Sequence, residues 1–439
     1  MKSYSANITK KQIFYLSIPV FFSNIATPLV GIVDTGLMGN MSDAKFLAAT
    51  SIATSVMTMI IWSFGFLRMG TVGMISQLYG KSDYREITKT LLRNYFIALV
   101  AAFLIIFSKN IILSLIEEFF LISKDTYKLI EIYISVRIFS APAELLIYIL
   151  IGFFLGIQKT KISSLLIIIF SSLNIIISSS LVLTMDLNIF GVALGTLLAS
   201  YITAIIFIFY TYRYIVKEFQ VIPNLSKLFI PSKIIKLLNI NFNIFIRTLF
   251  LTFSFLWINY LGAKLGEDFL AVNAILIQFV ILASFFLDAY AFSTEGIVGF
   301  AIGRKNKKSF LLAVSNSLQL SFFTSIIISL LYLFFFKILV NLLTDVELLR
   351  YITYKYLIWI IFIPPIASLS YQLDGIFIGA SQTQELRNAM IISVVSFIVS
   401  SIYLTKYFNN HGLWLSIVLF MILRSLTLNF YFNKILKKF

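Results

Sequence analysis

Cysteine is absent from all 439 residues, which removes disulfides, thiolate metal sites and thiol catalysis together. Histidine occurs once, as His411, in an expected outer loop where a solvated turn residue is the simpler reading than a ligand. No G-x-x-x-x-G-K-[ST], H-E-x-x-H or G-x-S-x-G run is present, so neither a primary ATP-driven pump nor a metalloprotease or hydrolase site is expected. Charge is scarce as well: 12% of residues, about half the share in soluble domains. Loops are too short to hold a soluble catalytic domain. The chain is therefore not expected to be an enzyme, and no cofactor or metal is expected.

What remains is apolar. Hydrophobic residues make up 59% of the chain and aromatic ones 16%. Runs of eighteen or more apolar residues recur from end to end, each long enough for ~30 Å of hydrocarbon. The fold class is an all-α integral membrane protein. Spans are expected near 12–38, 44–77, 88–115, 127–157, 162–184, 188–212, 234–260, 267–302, 309–337, 349–380, 386–406 and 412–433, which makes twelve transmembrane helices. The N-terminus has a basic start but no short apolar core followed by a small-residue cleavage site, so the first run reads as a retained span.

The net charge of +16 is topological, and no nucleic acid is expected. With the N-terminus inside, 22 of the 35 Lys and Arg residues fall on the inner side, from Lys2 through Lys227 to Lys438, and nine outside. Four, Arg68, Arg137, Arg247 and Arg424, fall within spans. That bias places both termini in the cytoplasm and brings the basic loops against anionic membrane lipids.

Sliding the chain on itself by 223 residues aligns 138–160 with 361–383, with ten identities in 23 positions. The same ungapped offset pairs Gly39, Thr71, Gly73 and Gly80 with Gly262, Thr294, Gly296 and Gly303. Each copy holds six spans, so the two lie parallel in the membrane, with substrate expected between them. The expected organisation is two pseudo-symmetric six-helix lobes, 1–212 and 234–439, joined by a basic cytoplasmic linker at 213–233 that carries Pro223 and Pro231. The shared residues are mostly Gly, Pro, Thr and aromatics, which preserve a scaffold. The buried charges do not repeat: Asp34 aligns with Trp257, Arg68 with Ala291, and Asp374 with Ile151.

Those charges are the candidate functional residues, because an ionisable group inside a span is costly and marks a site. The first lobe has Asp34, Arg68, Arg137 and Glu144; the second has Arg247, Asp288, Glu295, Asp374 and Arg424. Five acids face four arginines, so one carboxylate is free to hold a proton. On the first helix, Ser23, Thr27, Gly31 and Asp34 form a polar stripe, and Pro19 and Pro28 bend it. That stripe reads either as an ion-coupling face around Asp34 or as a face for helix–helix hydrogen bonds. Arg137 and Glu144, seven apart, read as a structural pair bridged through a third group. Arg247 and Arg424 form a second-lobe network with Asp288, Glu295 and Asp374, read equally as a cation site or as internal salt bridges.

Several runs resemble the multidrug and toxic compound extrusion (MATE) family. They are Pro19 with Asp34-Thr35 fifteen residues on, F-L-R-M-G-T-V-G at 66–73, A-P-A-E-L at 141–145 and I-R-T-L at 246–249. L-D-A-Y-A-F-S-T-E at 287–295 and D-G-I-F-I-G-A at 374–380 are most similar to its DinF branch. The resemblance implies alternating access and export of small amphiphilic or cationic substrates against inward H+ or Na+. It also implies a monomer in the bacterial cytoplasmic membrane, and an ion site at Asp34 with Asn174 and Thr196 beside it. Where the family often has an acid four residues after that Asn, this chain has Ser178, which favours H+ over Na+. The alternative is a flippase for lipid-linked oligosaccharides or lipids from the same superfamily.

Overall fold

The computed structural model describes residues 8–41, 43–120, 122–223 and 228–439. Lys2, Lys227 and the 224–227 part of the expected linker lie outside the described residues. The described residues are helical almost throughout: α1 Lys10–Gly39, α2 Ala44–Ser63, α3 Phe66–Gly80, α4 Tyr84–Phe107, α5 Lys109–Phe119, α6 Lys124–Arg137, α7 Ala141–Gly156, α8 Thr160–Leu183 and α9 Asn188–Tyr214. After the linker come α10 Pro231–Leu265, α11 Glu267–Gly303, α12 Lys307–Leu343, α13 Glu347–Tyr354, α14 Leu357–Gly379 and α15 Thr383–Leu436. Among the described residues, eleven helical stretches are long and apolar enough to cross a membrane. The last of them has 54 residues, ~80 Å of helix, far more than a bilayer needs. It is broken inside by Asn409, whose backbone is non-helical (φ 48°, ψ −135°).

Two expected spans are shorter than the sequence suggested. The run expected at 88–115 ends at Phe107, where the chain turns at Ser108 into the short α5. The run expected at 349–380 starts at Leu357, because α13 is a separate amphipathic turn of helix. Arg350 fastens α13 by donating to Thr344 O and Asp345 Oδ1, both at 2.7 Å. Window hydropathy averages such amphipathic pieces into their neighbours, so the joints were invisible to it.

The chain forms two compact units, Phe22–Leu238 and Met1–Phe21 with Asn239–Phe439. Both α1 and α10 straddle the boundary, so each lends its two ends to different units. The core of the first unit includes Leu67, Val72, Phe153 and Phe154, all buried, with Phe219 stacked on Tyr84 at 4.6 Å. The core of the other gathers Val272, Leu276, Phe336 and Trp414. Here a reciprocal amide pair, Asn273 and Asn410 at 2.8 and 3.0 Å, takes a further bond from Trp414 Nε1 at 2.8 Å. His411 is exposed, as expected, and within that surface it stacks on Tyr356 at 4.4 Å and accepts from Trp359 Nε1 at 2.9 Å.

The 223-residue repeat is visible inside each unit by itself. Left-handed turn residues fall in register as Ser82 and Lys305, Gln158 and Ser381, and Asp186 and Asn409. Two helices are capped at matching places, Asp83 accepting from Glu86 N at 3.1 Å and Asn306 from Ser309 N at 2.9 Å. Thr71 and Thr294 each donate to the carbonyl four residues back. Proline bends are satisfied locally, as hydrocarbon demands. Pro365 in α14 has no N–H for the carbonyl of Ile361, and Ser329 Oγ of α12 donates to that oxygen at 2.7 Å.

Candidate functional site

In the unit Phe22–Leu238, the site is built around the second half of α1. Asp34 is buried, with 4% exposure, and among the described residues its Oδ1 has no hydrogen-bond partner. The polar stripe is divided: Ser23 is buried and donates to Ser164 of α8 at 3.4 Å, whereas Thr27, Gly31 and Thr35 are exposed. A side chain at Gly31 would meet nothing within 4 Å. Pro19 and Pro28 lie in this helix, on either side of the unit boundary.

Arg137 and Glu144 are joined directly. Arg137 ends α6, Glu144 lies in the first turn of α7, and Ile138–Ser140 between them is a 3-10 turn. Arg137 Nη2 donates to Glu144 Oε2 at 3.1 Å, and Nη1 reaches Glu144 Oε1 and Ser140 Oγ. The Ser140 hydroxyl proton has two acceptors at 2.6 Å, Glu144 Oε1 and Arg137 O. The pair therefore needs no third group to bridge it; Ser140 bonds alongside it. One turn earlier, buried Tyr133 accepts from Thr54 at 3.2 Å and lies in the fields of Arg137, Asp34 and Glu144. Arg137 is the charge whose field reaches Asp34. Arg68, buried on α3, acts with Glu144 and Arg137 on Tyr148.

Asn174, Ser178 and Thr196 come together as a separate group. Asn174 Nδ2 donates to Thr196 Oγ1 at 3.0 Å, and Ser178 donates to Asn174 Oδ1 at 3.3 Å. Ser178 also packs against Gly195 of α9. Among the described residues these three form a hydrogen-bonded set of which Asp34 is not a member.

In the other unit, Arg247 of α10 and Arg424 of α15 both donate to Oδ2 of Asp374 on α14. Asp374 Oδ1 is buried without a hydrogen-bond partner among the described residues. Tyr371, one turn earlier, carries the Arg424 guanidinium over its ring at 5.7 Å. Asp288 contributes to the field on Arg247 and on Tyr371. Glu295, two turns further along α11, is buried, and its backbone carbonyl lies against Gly379. Beside Pro365 a groove of ≈ 510 Å³ opens between α12, α14 and α15, lined by Phe322, Leu369, Ile422 and Leu426.

Four site residues escaped the sequence reading: Tyr133, Ser140, Tyr148 and Tyr371. A signal existed for three. Tyr148 and Tyr371 match at the repeat offset, and Ser140 stands between Arg137 and Glu144 at helical spacing. Only Tyr133 had none.

Comparison with known proteins now bears on this geometry. The MatE family model matches 19–179 and 244–405, one match in each copy of the repeat. DNA damage-inducible protein F of Escherichia coli K12 is 31% identical over 418 residues, covering 95% of this chain and 91% of that protein. Multidrug export protein MepA of Staphylococcus aureus is 25% identical over 61% of this chain and 60% of its own length. Among solved structures, a MATE in a bent conformation superposes with a TM-score of 0.88 at 18% identity, covering 99% of this chain and 97% of that one. A MOP superfamily transporter from Pyrococcus furiosus gives 0.87 at 17% identity, with 99% and 97% covered. These likenesses show the fold, and the family match and the Escherichia coli relative show the lineage. The chain is a multi-pass membrane protein that belongs to the MatE family of transporters.

Proposed function

We propose that this transporter exports small amphiphilic or cationic molecules by antiport against H+, with Na+ as the alternative ion. The observation that carries the reading is Asp34, a buried carboxylate with one oxygen that has no hydrogen-bond partner among the described residues. An acid held by no fixed donor can gain and lose a proton without breaking a bond, which suits a group that must load and unload as access alternates. The relative named as a multidrug export protein supports the substrate class. Ser178, in place of a second carboxylate, supports the proton over Na+. Asn174, Ser178 and Thr196 supply polar lining in the same unit.

The membrane topology belongs to the same proposal. Counting α15 as two spans across Asn409 gives twelve, and the Lys/Arg bias puts both termini in the cytoplasm. The two repeats, 1–212 and 234–439, would act as the moving lobes on either side of the 213–233 linker, in a monomer in the bacterial cytoplasmic membrane. The flippase alternative draws on one observation: Arg247 and Arg424 converge on one carboxylate, Asp374, and two adjacent guanidinium groups suit an anionic headgroup.

The test is transport in proteoliposomes with a panel of fluorescent cations, applying pH and Na+ gradients separately. The proposal expects pH-driven transport that Asp34→Asn abolishes while substrate binding persists. Full gradient-driven transport by that variant refutes it. Translocation of a labelled anionic lipid, with no cation transport, selects the flippase.

A further inference from the structure

The two units treat the same proline position, Pro142 and Pro365, in different ways. In α14 the chain runs as one helix through Pro364 and Pro365, and the freed carbonyl of Ile361 is taken by Ser329. In the other unit the equivalent stretch is two helices, α6 and α7, with the 3-10 turn Ile138–Ser140 as a joint and Pro142 just beyond it. An ion pair crosses this joint. At the repeat offset, Ile360 and Ala367 stand where Arg137 and Glu144 do, so α14 has no counterpart of the pair. A proline at this position needs no buried ion pair beside it, as α14 demonstrates, and the pair in one unit alone calls for another reason.

Arg137 supplies one. Its guanidinium is occupied by Glu144 and Ser140, yet it is also the charge acting on Asp34. Asp34 Oδ1 is buried and has no hydrogen-bond partner among the described residues. One guanidinium therefore bonds one carboxylate while its charge acts on a second. The other groups facing it are Tyr133 on its own helix, Tyr148 on α7 and, through Tyr148, Arg68 on α3. A planar fork of five N–H donors can be shared or passed between two carboxylates.

We propose that Arg137 is a relay, held by Glu144 across the Ile138–Ser140 joint while Asp34 is protonated, and drawn to Asp34 when that proton leaves, which frees the joint to bend. This rests on the reading of Asp34 as the coupling acid. It makes Glu144 a positioning residue: it acts on the proton site only through Arg137. Proton release would then be transmitted as movement between α6 and α7, an element the other unit does not need because it holds no equivalent of Asp34.

The test compares the pH profile of substrate exchange in proteoliposomes for the native chain, Glu144→Gln and Asp34→Asn. In Glu144→Gln the neutral amide competes poorly for Arg137, which commits to Asp34 and favours its charged form. The exchange midpoint is expected to move to lower pH by about one to three units. Ser140→Ala keeps both charges, loosens the grip of Glu144, and is expected to move it the same way by less. This second variant decides the matter where Glu144→Gln fails to fold. An unchanged midpoint in a folded variant, with only stability or maximal rate altered, overturns the relay and leaves a static staple. The two readings fail differently. If Asp34→Asn keeps the native pH dependence, Asp34 is not the coupling acid; if Asp34→Asn flattens the profile while the Glu144 and Ser140 variants leave the midpoint in place, only the relay is wrong.

Discussion

Gly152 lies so close to the backbone of Arg68 that a Cβ there would stand 2.6 Å from the Arg68 carbonyl oxygen. Exactly one repeat later, at the same offset of 223, Gly375 stands in the same relation to Ala291, again at 2.6 Å. Backbone oxygen cannot swing aside as a side chain can, so only glycine lets α7 meet α3, and α14 meet α11, at this distance. Gly152→Ala and Gly375→Ala should each lower stability by about 1–3 kcal/mol through overpacking. Thermal unfolding of the purified protein in detergent checks this; unchanged melting for both would mean that the helices part easily.

Asp374 neutralises two arginines at once. Asp374→Asn removes the carboxylate that both buried arginines bond, with Asp288 still acting on Arg247, and should destabilise by about 3–5 kcal/mol. Replacing either arginine by methionine leaves the other pair intact and should cost less. Thermal unfolding and yield of folded protein from the membrane would rank the three variants.

Arg93, with 2% of its side chain exposed, donates to Leu228 O at 2.7 Å and to Glu86 at 2.8 Å, so it pins the segment entering α10. Lys233 also reaches Glu86, at 3.2 Å, but is about half exposed, where an ion pair contributes at most about 1 kcal/mol. Arg93→Ala should therefore speed hydrogen exchange at 228–233 markedly, and Lys233→Ala little. Equal effects would mean that charge, rather than the buried carbonyl bond, holds this segment.

The repeat was legible because close helix approach leaves so few choices: glycine at 152 and 375, threonine at 71 and 294, left-handed turns at matching places. The pairing of Arg137 with Glu144 was legible from spacing on one run of sequence. Its joint was not, since a 3-10 turn keeps the same hydropathy as the helices it connects. The field of Arg137 on Asp34 spans more than a hundred residues of chain and leaves no local pattern. The straddling of α1 and α10 between units was hidden too, because a helix that changes neighbours along its length keeps a single apolar period. Asn174, Ser178 and Thr196 were named through resemblance, and the structure gathers them by hydrogen bonds.

The central claim concerns Asp34, and proton movement reads it most directly. Protein in proteoliposomes carrying a trapped pH dye is given a transported cation with no imposed gradient, and substrate-driven proton flux is recorded for the native chain and for Asp34→Asn. The account predicts proton flux with the native chain and none with Asp34→Asn, while the variant still binds the cation. Native-level proton flux in Asp34→Asn would contradict it.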